Sequence, residues 1–179
     1  MGAATTLVTV REFLQLPEPE GKRMELIGGD VVTMGYGKAR HEIVKKNLIR
    51  ILILWLVQHE AGELFAETMF QLDEYNSFIP DLSVIPAGRV SPGSEDWIQG
   101  APEIAIEVVS SETALALERK IDLYLAHGAK SVWAVFPEYR VVRIFDAAGG
   151  SAKFEQHQTL QDPSLPGLSI PVSNIFEGI

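Results

Sequence analysis

The sequence contains no cysteine, so it can build neither a disulfide framework nor a thiolate zinc centre, and nothing in it calls for an oxidising compartment. Long apolar runs are also missing. The longest, residues 51–57, falls far short of the ~20 residues that span a bilayer, and the first twenty residues carry no apolar signal core. A cytoplasmic setting away from any membrane is therefore expected. Positive charge is scarce: 15 Lys and Arg stand against 24 Asp and Glu, a net charge of −9. Binding to phosphate backbones without regard to sequence relies on many basic groups displacing counterions, so a nucleic-acid substrate would need the help of a bound cation. The four histidines, His41, His59, His127 and His157, show no metal-ligand spacing. The HEIVK stretch at His41 lacks the second histidine of a zincin, and Val32 stands where a phosphate loop ending at Gly37 and Lys38 would need glycine. No Gly-x-Ser-x-Gly nucleophile elbow occurs either.

What is present is the usage of an ordinary globular protein, 46% hydrophobic and 22% charged. A chain of 179 residues suits one well-buried domain better than two, so a single domain over 1–179 is expected. Thr9 with Glu12 has capping-box spacing and predicts a short helix over 10–16, stopped by Pro17 and Pro19. Gly28 and Gly29 between apolar stretches at 24–27 and 30–34 predict a tight hairpin. Ile43, Val44, Leu48, Ile51, Leu52 and Trp55 follow helical spacing within a helix over 41–59, whose second half is apolar nearly all round and should be largely buried. Alternation predicts strands over 63–73, 78–86 and 103–109, with a loop at 87–102. A helix over 110–127, capped by Ser110 or Ser111 and stopped at Gly128, comes next. Paired strands at 131–136 and 140–145 and a weaker strand after Gly149 complete the chain. The order implies an α/β (α+β) fold, helices packed on a mixed sheet.

Two carboxylates interrupt runs that otherwise look like buried strands: Asp81 in FIPDLSVI and Glu107 in EIAIEVV. An ionised carboxylate in an apolar setting costs several kcal/mol unless it is paired, hydrogen-bonded or metal-bound. If the strands are neighbours, both can project from one face, and a divalent cation between them would relieve their repulsion. Oxygen donors suit Mg²⁺, or Mn²⁺, rather than zinc. Other readings of these residues stand beside this one. Asp81 after Pro80 has the form of a turn dipeptide, and Glu107 could be a water-exposed strand-edge residue. Lys120, next to Arg119 and Asp122, could be a solvated helix residue.

The ordered series Pro80 and Asp81, then Pro102, Glu107, Val108 and Ser110, then Lys120 and Tyr124, then Gly128 and Trp133 resembles the Uma-two endonuclease family of the PD-(D/E)xK superfamily. MELIGGDVVTM and the helix opening at His41 extend the likeness upstream, to roughly residues 9–146. The resemblance implies a restriction-endonuclease-like fold with a central mixed β-sheet flanked by helices. It further implies metal-dependent hydrolysis of phosphodiester bonds in DNA. In that scheme Asp81, Glu107 and the Val108 carbonyl hold the metal, and Lys120 completes the catalytic set. Glu25 resembles the early acidic residue of the superfamily, although an exposed strand end is an equal reading. His41 could contact a phosphate or a metal-bound water, or simply cap its helix, and Tyr124 is a supporting core aromatic with a polar tip. Two positions depart from the pattern: Val109 stands where the superfamily usually places its lysine, and Ala116 where many relatives carry an acid four residues before the helical lysine. These departures keep open a second expectation, a catalytically inactive nuclease-fold module that binds DNA or protein as a dimer. Homodimerisation is expected on either reading, because closed twofold assemblies are the commonest oligomers.

Overall fold

The structure, a computed structural model, describes residues 7–90, 97–110 and 113–179. It opens with α1 (Val10–Phe13), where the Thr9 side chain accepts from the Glu12 N–H at 3.3 Å and the Glu12 carboxylate accepts from the Thr9 N–H at 2.8 Å. The helix ends at Phe13 rather than at residue 16, and 14–16 form turns. Pro17 pushes the residue before it out of helical geometry. What holds so short a helix is its reciprocal cap and the burial of Val10 and Phe13.

The hairpin forms as expected from β1 (Lys22–Ile27) and β2 (Asp30–Gly35), paired Ile27 to Asp30 across a two-residue turn. Gly28 and Gly29 both adopt positive φ, +60° and +79°, which this turn type demands and which glycine adopts without steric cost. The long helix α2 (Ala39–His59) starts two residues before His41. It buries Val44, Leu48, Leu52 and Leu56, one residue per turn. Its second half is not buried all round: Ile53, Leu54 and Val57 are 45%, 65% and 74% exposed. A helix lying on a sheet offers it one stripe, and the opposite side stays wet whatever its composition.

The remaining elements are β3 (Glu63–Ala66), β4 (Phe70–Gln71), β5 (Ser77–Phe78), β6 (Leu82–Ile85), β7 (Ile98–Gln99), β8 (Ile104–Val108) and α3 (Ala114–Ala126). They continue with β9 (Ser131–Phe136), β10 (Val141–Asp146), β11 (Ser151–Glu155), β12 (Thr159–Leu160), β13 (Ile170–Pro171) and α4 (Val172–Ile175). A six-stranded sheet runs in the order β11-β10-β9-β8-β6-β3, with β8 and β9 parallel and its other neighbours antiparallel. A five-stranded sheet runs β2-β1-β5-β4-β7. The stripe of α2 packs on one face of the six-stranded sheet, against Leu82, Ile104, Ile106 and Trp133. Leu117, Ile121 and Tyr124 of α3 pack on the other face, with Ala105, Val132 and Ala134. The fold is thus the expected mixed sheet flanked by helices.

Two expected strands are broken, and both breaks build the site. The stretch 63–73 splits into β3 in one sheet and β4 in the other, with Glu67 between them at φ +48°. The stretch 78–86 splits into β5 and β6 in the same way, with residues 79–81 as the crossing. Pro80 has no N–H to give a ladder, so a sheet-to-sheet crossing suits it. The two crossings touch, the Glu67 N–H donating to the Asp81 carbonyl at 3.3 Å. Further along, the region 87–102 contains the short β7 as well as loop, and its residues 91–96 lie outside the described ones. Helix α3 begins at Ala114, capped by Thr113, whose hydroxyl accepts from the Ala116 N–H at 3.2 Å; Ser110 lies before the helix, and Ser111 is outside the described residues.

Candidate active site

The register of β6 and β8 settles whether the two interrupting carboxylates meet. Leu82 pairs with Ile106 in antiparallel sense, so the next residue out on each chain brings Asp81 across from Glu107. Both line a cleft of about 400 Å³ between the hairpin, β8 and α3, and Asp81 and Glu107 are only 4% and 5% exposed. Neither is a surface turn or strand-edge residue. Asp81 Oδ2 accepts from the Val108 N–H at 2.8 Å, which ties the crossing to the end of β8. Asp81 Oδ1 is buried and has no hydrogen-bond partner.

Lys120 is not a solvated helix residue. It lies on the stripe Leu117, Lys120, Ile121 and Tyr124 that α3 turns toward the sheet, and it is 2% exposed. Its Nζ stands 2.8 Å from Glu107 Oε1 and 3.0 Å from Glu25 Oε2. Glu25, the fourth residue of β1, is fully buried rather than an exposed strand end, and its Oε1 also accepts from the Ile79 N–H at 2.8 Å. Tyr124 donates its hydroxyl to Glu107 Oε1 at 2.9 Å. Burial first, and then the Glu107 charge, push its phenol well above 10, so Tyr124 is a neutral donor that orients a carboxylate. Removing one partner from such a buried ionic cluster costs about 3–5 kcal/mol, because a charge is left uncompensated.

His41 reaches the site from α2, with Nε2 3.1 Å from Asp81 Oδ2 and Nδ1 3.0 Å from Glu42. Gly37 lies over its ring, where a side chain would collide with the imidazole. Burial pulls the His41 pKa down, but the bonds and charges of Asp81 and Glu42 outweigh it and raise the pKa above 6.5. In Asp81, burial pushes upward and is outweighed by His41, the Val108 N–H and Arg23, so its pKa lies below 3.8. Lys45 bonds to Glu42 and Glu67 at 2.9–3.1 Å, and Arg23 bonds to Glu67 at 3.1 Å with its other nitrogen 3.8 Å from Asp81 Oδ1.

Arg23 is one of the site residues that sequence reasoning missed. It stands two positions before Glu25 on β1, and that period of two places both on one strand face. Lys45 and Glu67 were missed as well, and no local signal marks them, because they meet through the sheet crossing. Seven residues singled out from the sequence do assemble here: Glu25, His41, Asp81, Glu107, Val108, Lys120 and Tyr124.

Whether these groups suit a hard cation is a matter of donors and charge. Glu25, Asp81 and Glu107 supply three negative charges against the two fixed positive charges of Arg23 and Lys120, and Asp81 Oδ1 accepts no hydrogen bond. Among the described residues no cluster of three His, Asp or Glu side chains has the form of a metal site. Mg²⁺ is commonly held by one or two carboxylates together with substrate phosphate and water, so the oxygen set here fits that ion and would not fit a protein-only cage.

A family described as "Putative restriction endonuclease", Uma2, matches residues 10–173. The chain belongs to this family. Beside its Uma2 membership, the fold is similar to that of a crystal structure titled a "putative nuclease belonging to DUF820" from Anabaena variabilis, with a TM-score of 0.82 and 22% identity over 94% of this chain and 97% of that one. An "Uncharacterized protein sll1609" from Synechocystis is 26% identical over 113 residues, 63% of this chain; the match spans 64% of that relative's length. Among the described residues of this Uma2 chain, no helix is long and apolar enough to cross a membrane.

Proposed function

We propose that the protein is a metal-dependent endonuclease hydrolysing phosphodiester bonds in DNA. The observation that carries this reading is the placement of Asp81 across from Glu107 on one cleft, with the Lys120 amine 2.8 Å from Glu107. Asp81, Glu107 and the Val108 carbonyl would hold Mg²⁺ or Mn²⁺, which when bound supplies Lewis-acid polarisation of the phosphate and a more acidic water. Lys120 orients the attacking water or neutralises charge developing on the phosphate, a role open to a point-charge amine fixed between two carboxylates. Glu25 holds that amine in place, and Tyr124 fixes the Glu107 carboxylate. His41 and Arg23 keep Asp81 ionised. The helical position of Lys120 answers the departure at Val109: an amine on α3 reaches the same carboxylate that a lysine two residues further along the strand would share.

A homodimer in the cytoplasm belongs to the same proposal. The rival, a nuclease-fold module without catalysis, draws on the Glu107–Lys120 ion pair, which leaves Glu107 compensated even without metal. Incubating supercoiled plasmid with Mn²⁺ separates the two. Nicking by the wild type and none by Asp81→Ala supports the nuclease. Cleavage by both proteins marks a contaminant, and cleavage by neither overturns the proposal. Calorimetric Mn²⁺ binding, lost in Glu107→Ala, checks the metal independently of turnover.

A further inference from the structure

A second chamber, of about 330 Å³, adjoins the cleft, and Arg23 and Ile79 line both. Its walls include the apolar side chains of Phe13, Leu14, Met24 and Met69, with the Tyr36 ring beside them, 65% exposed. We propose that this chamber receives an unpaired nucleobase from the DNA strand whose phosphate occupies the Asp81–Glu107 cleft. The substrate is then single-stranded or locally unpaired DNA rather than intact duplex. This rests on the nuclease reading and names its substrate class.

Three physical arguments converge on a base as the occupant. The volume lies within the ~300–1,000 Å³ of ordinary ligand pockets, and an exposed aromatic beside apolar and thioether groups is a surface on which a π-face stacks. The chamber also contains the Glu18 and Glu67 carboxylates. Lys22 and Arg23 line it too, and Glu67 is paired with Arg23 and Lys45, so the exposed Glu18 is the carboxylate left to accept from the exocyclic amino group of a base. Finally, the net charge of −9 deprives the protein of the electrostatic grip that dominates duplex binding, which leaves stacking as the main sequence-tolerant source of affinity. A base inside a duplex would first have to be unstacked and unpaired to reach the chamber, and a single strand has no such barrier. Arg23, on the boundary, would meet the backbone between the seated base and the phosphate in the cleft.

The test is binding under Ca²⁺, read by the anisotropy of a short fluorescent oligonucleotide, either single-stranded or annealed, with its integrity checked on a gel. The single strand should bind at least about tenfold more tightly than the duplex, and Tyr36→Ala should remove about tenfold of that affinity. A scan of single abasic positions in the oligonucleotide needs no protein variant. One position should lose about tenfold with the wild type and little with Tyr36→Ala. Equal or tighter duplex binding, or an abasic scan with no sensitive position, would overturn the inference. Because the readout is binding, a protein that prefers single strands in this way but cuts nothing under Mn²⁺ would sink the nuclease reading and leave the base chamber standing.

Discussion

Along β8 the side chains alternate between two surroundings. Ile104, Ile106 and Val108 enter the mainly apolar layer under α2, whose buried polar groups include Asp162, bonded to Trp133 and Ser131, and Asn47, bonded to the Ile175 carbonyl. Ala105 and Glu107 face α3, where the neighbours of Glu107 are a buried amine and a buried phenol. One strand, five residues long, therefore serves as core on one side and as the floor of a charged cleft on the other. The comparison teaches that the α2 side stabilises the sheet, while the α3 side spends part of that stability on holding like charges together out of water.

The largest effect expected on this contrast is that of Lys120→Met, which leaves Glu25 and Glu107 buried without their shared cation. A loss of about 4 kcal/mol should appear as a lowered urea midpoint. Adding Glu25→Gln to that variant should recover part of the loss; no recovery would mean that packing rather than charge explains it. Next comes Ile106→Ala on the opposite face, expected to cost about 3 kcal/mol through lost burial and a residual cavity. Its cleavage per folded molecule should stay near wild type, and a collapse of specific activity would show that the two faces are not separable. Tyr124→Phe removes a hydrogen bond to a charged acceptor and should cost about 2 kcal/mol while lowering cleavage, because Glu107 loses its orienting donor.

The smallest effect is the pH dependence of thermal stability in metal-free protein. The His41 pKa is raised in the folded state, so its contribution is complete below 6.5 and is lost as pH rises through the raised value. The Asp81 pKa is depressed, so its contribution is present above 3.8 and is lost as pH falls through the lowered value. His41→Gln should flatten the alkaline limb of the melting-temperature profile, and Ile106→Ala, on the strand face opposite Glu107, should shift the whole profile without changing its shape. An unchanged alkaline limb in His41→Gln would place the titration elsewhere.

Much of this arrangement could be read without the structure. The capping box, the two-glycine hairpin, the helical spacing of Val44, Leu48 and Leu52 in α2 and the alternation of β8 are local patterns, and local patterns report which side of an element is apolar. Asp81 and Glu107 stood out for the same reason, as charges inside apolar runs. The breaks at Glu67 and at 79–81 were not legible. At 79–81 the chain is buried on either side and apolar residues run into the crossing, while at 66–68 the alternation simply continues across Ala66, Glu67 and Thr68; periodicity does not record the identity of the hydrogen-bonded neighbour. The exposed Ile53, Leu54 and Val57 were misread on the same principle: composition cannot show that only one stripe of α2 meets a sheet.

By itself, then, the order of residues determined the types of the main elements and marked Asp81 and Glu107 as charges inside apolar runs, while Lys120 and Glu25 were singled out through the family resemblance. Only the tertiary structure decided that they do meet: the Leu82–Ile106 register brings Asp81 across from Glu107, α3 lays Lys120 between Glu25 and Glu107, and the paired crossings carry Arg23, Lys45 and Glu67 into one network. The reason is one of range. Propensity and periodicity act over a few residues, whereas the partners of a buried charge are set by pairing between segments tens of residues apart.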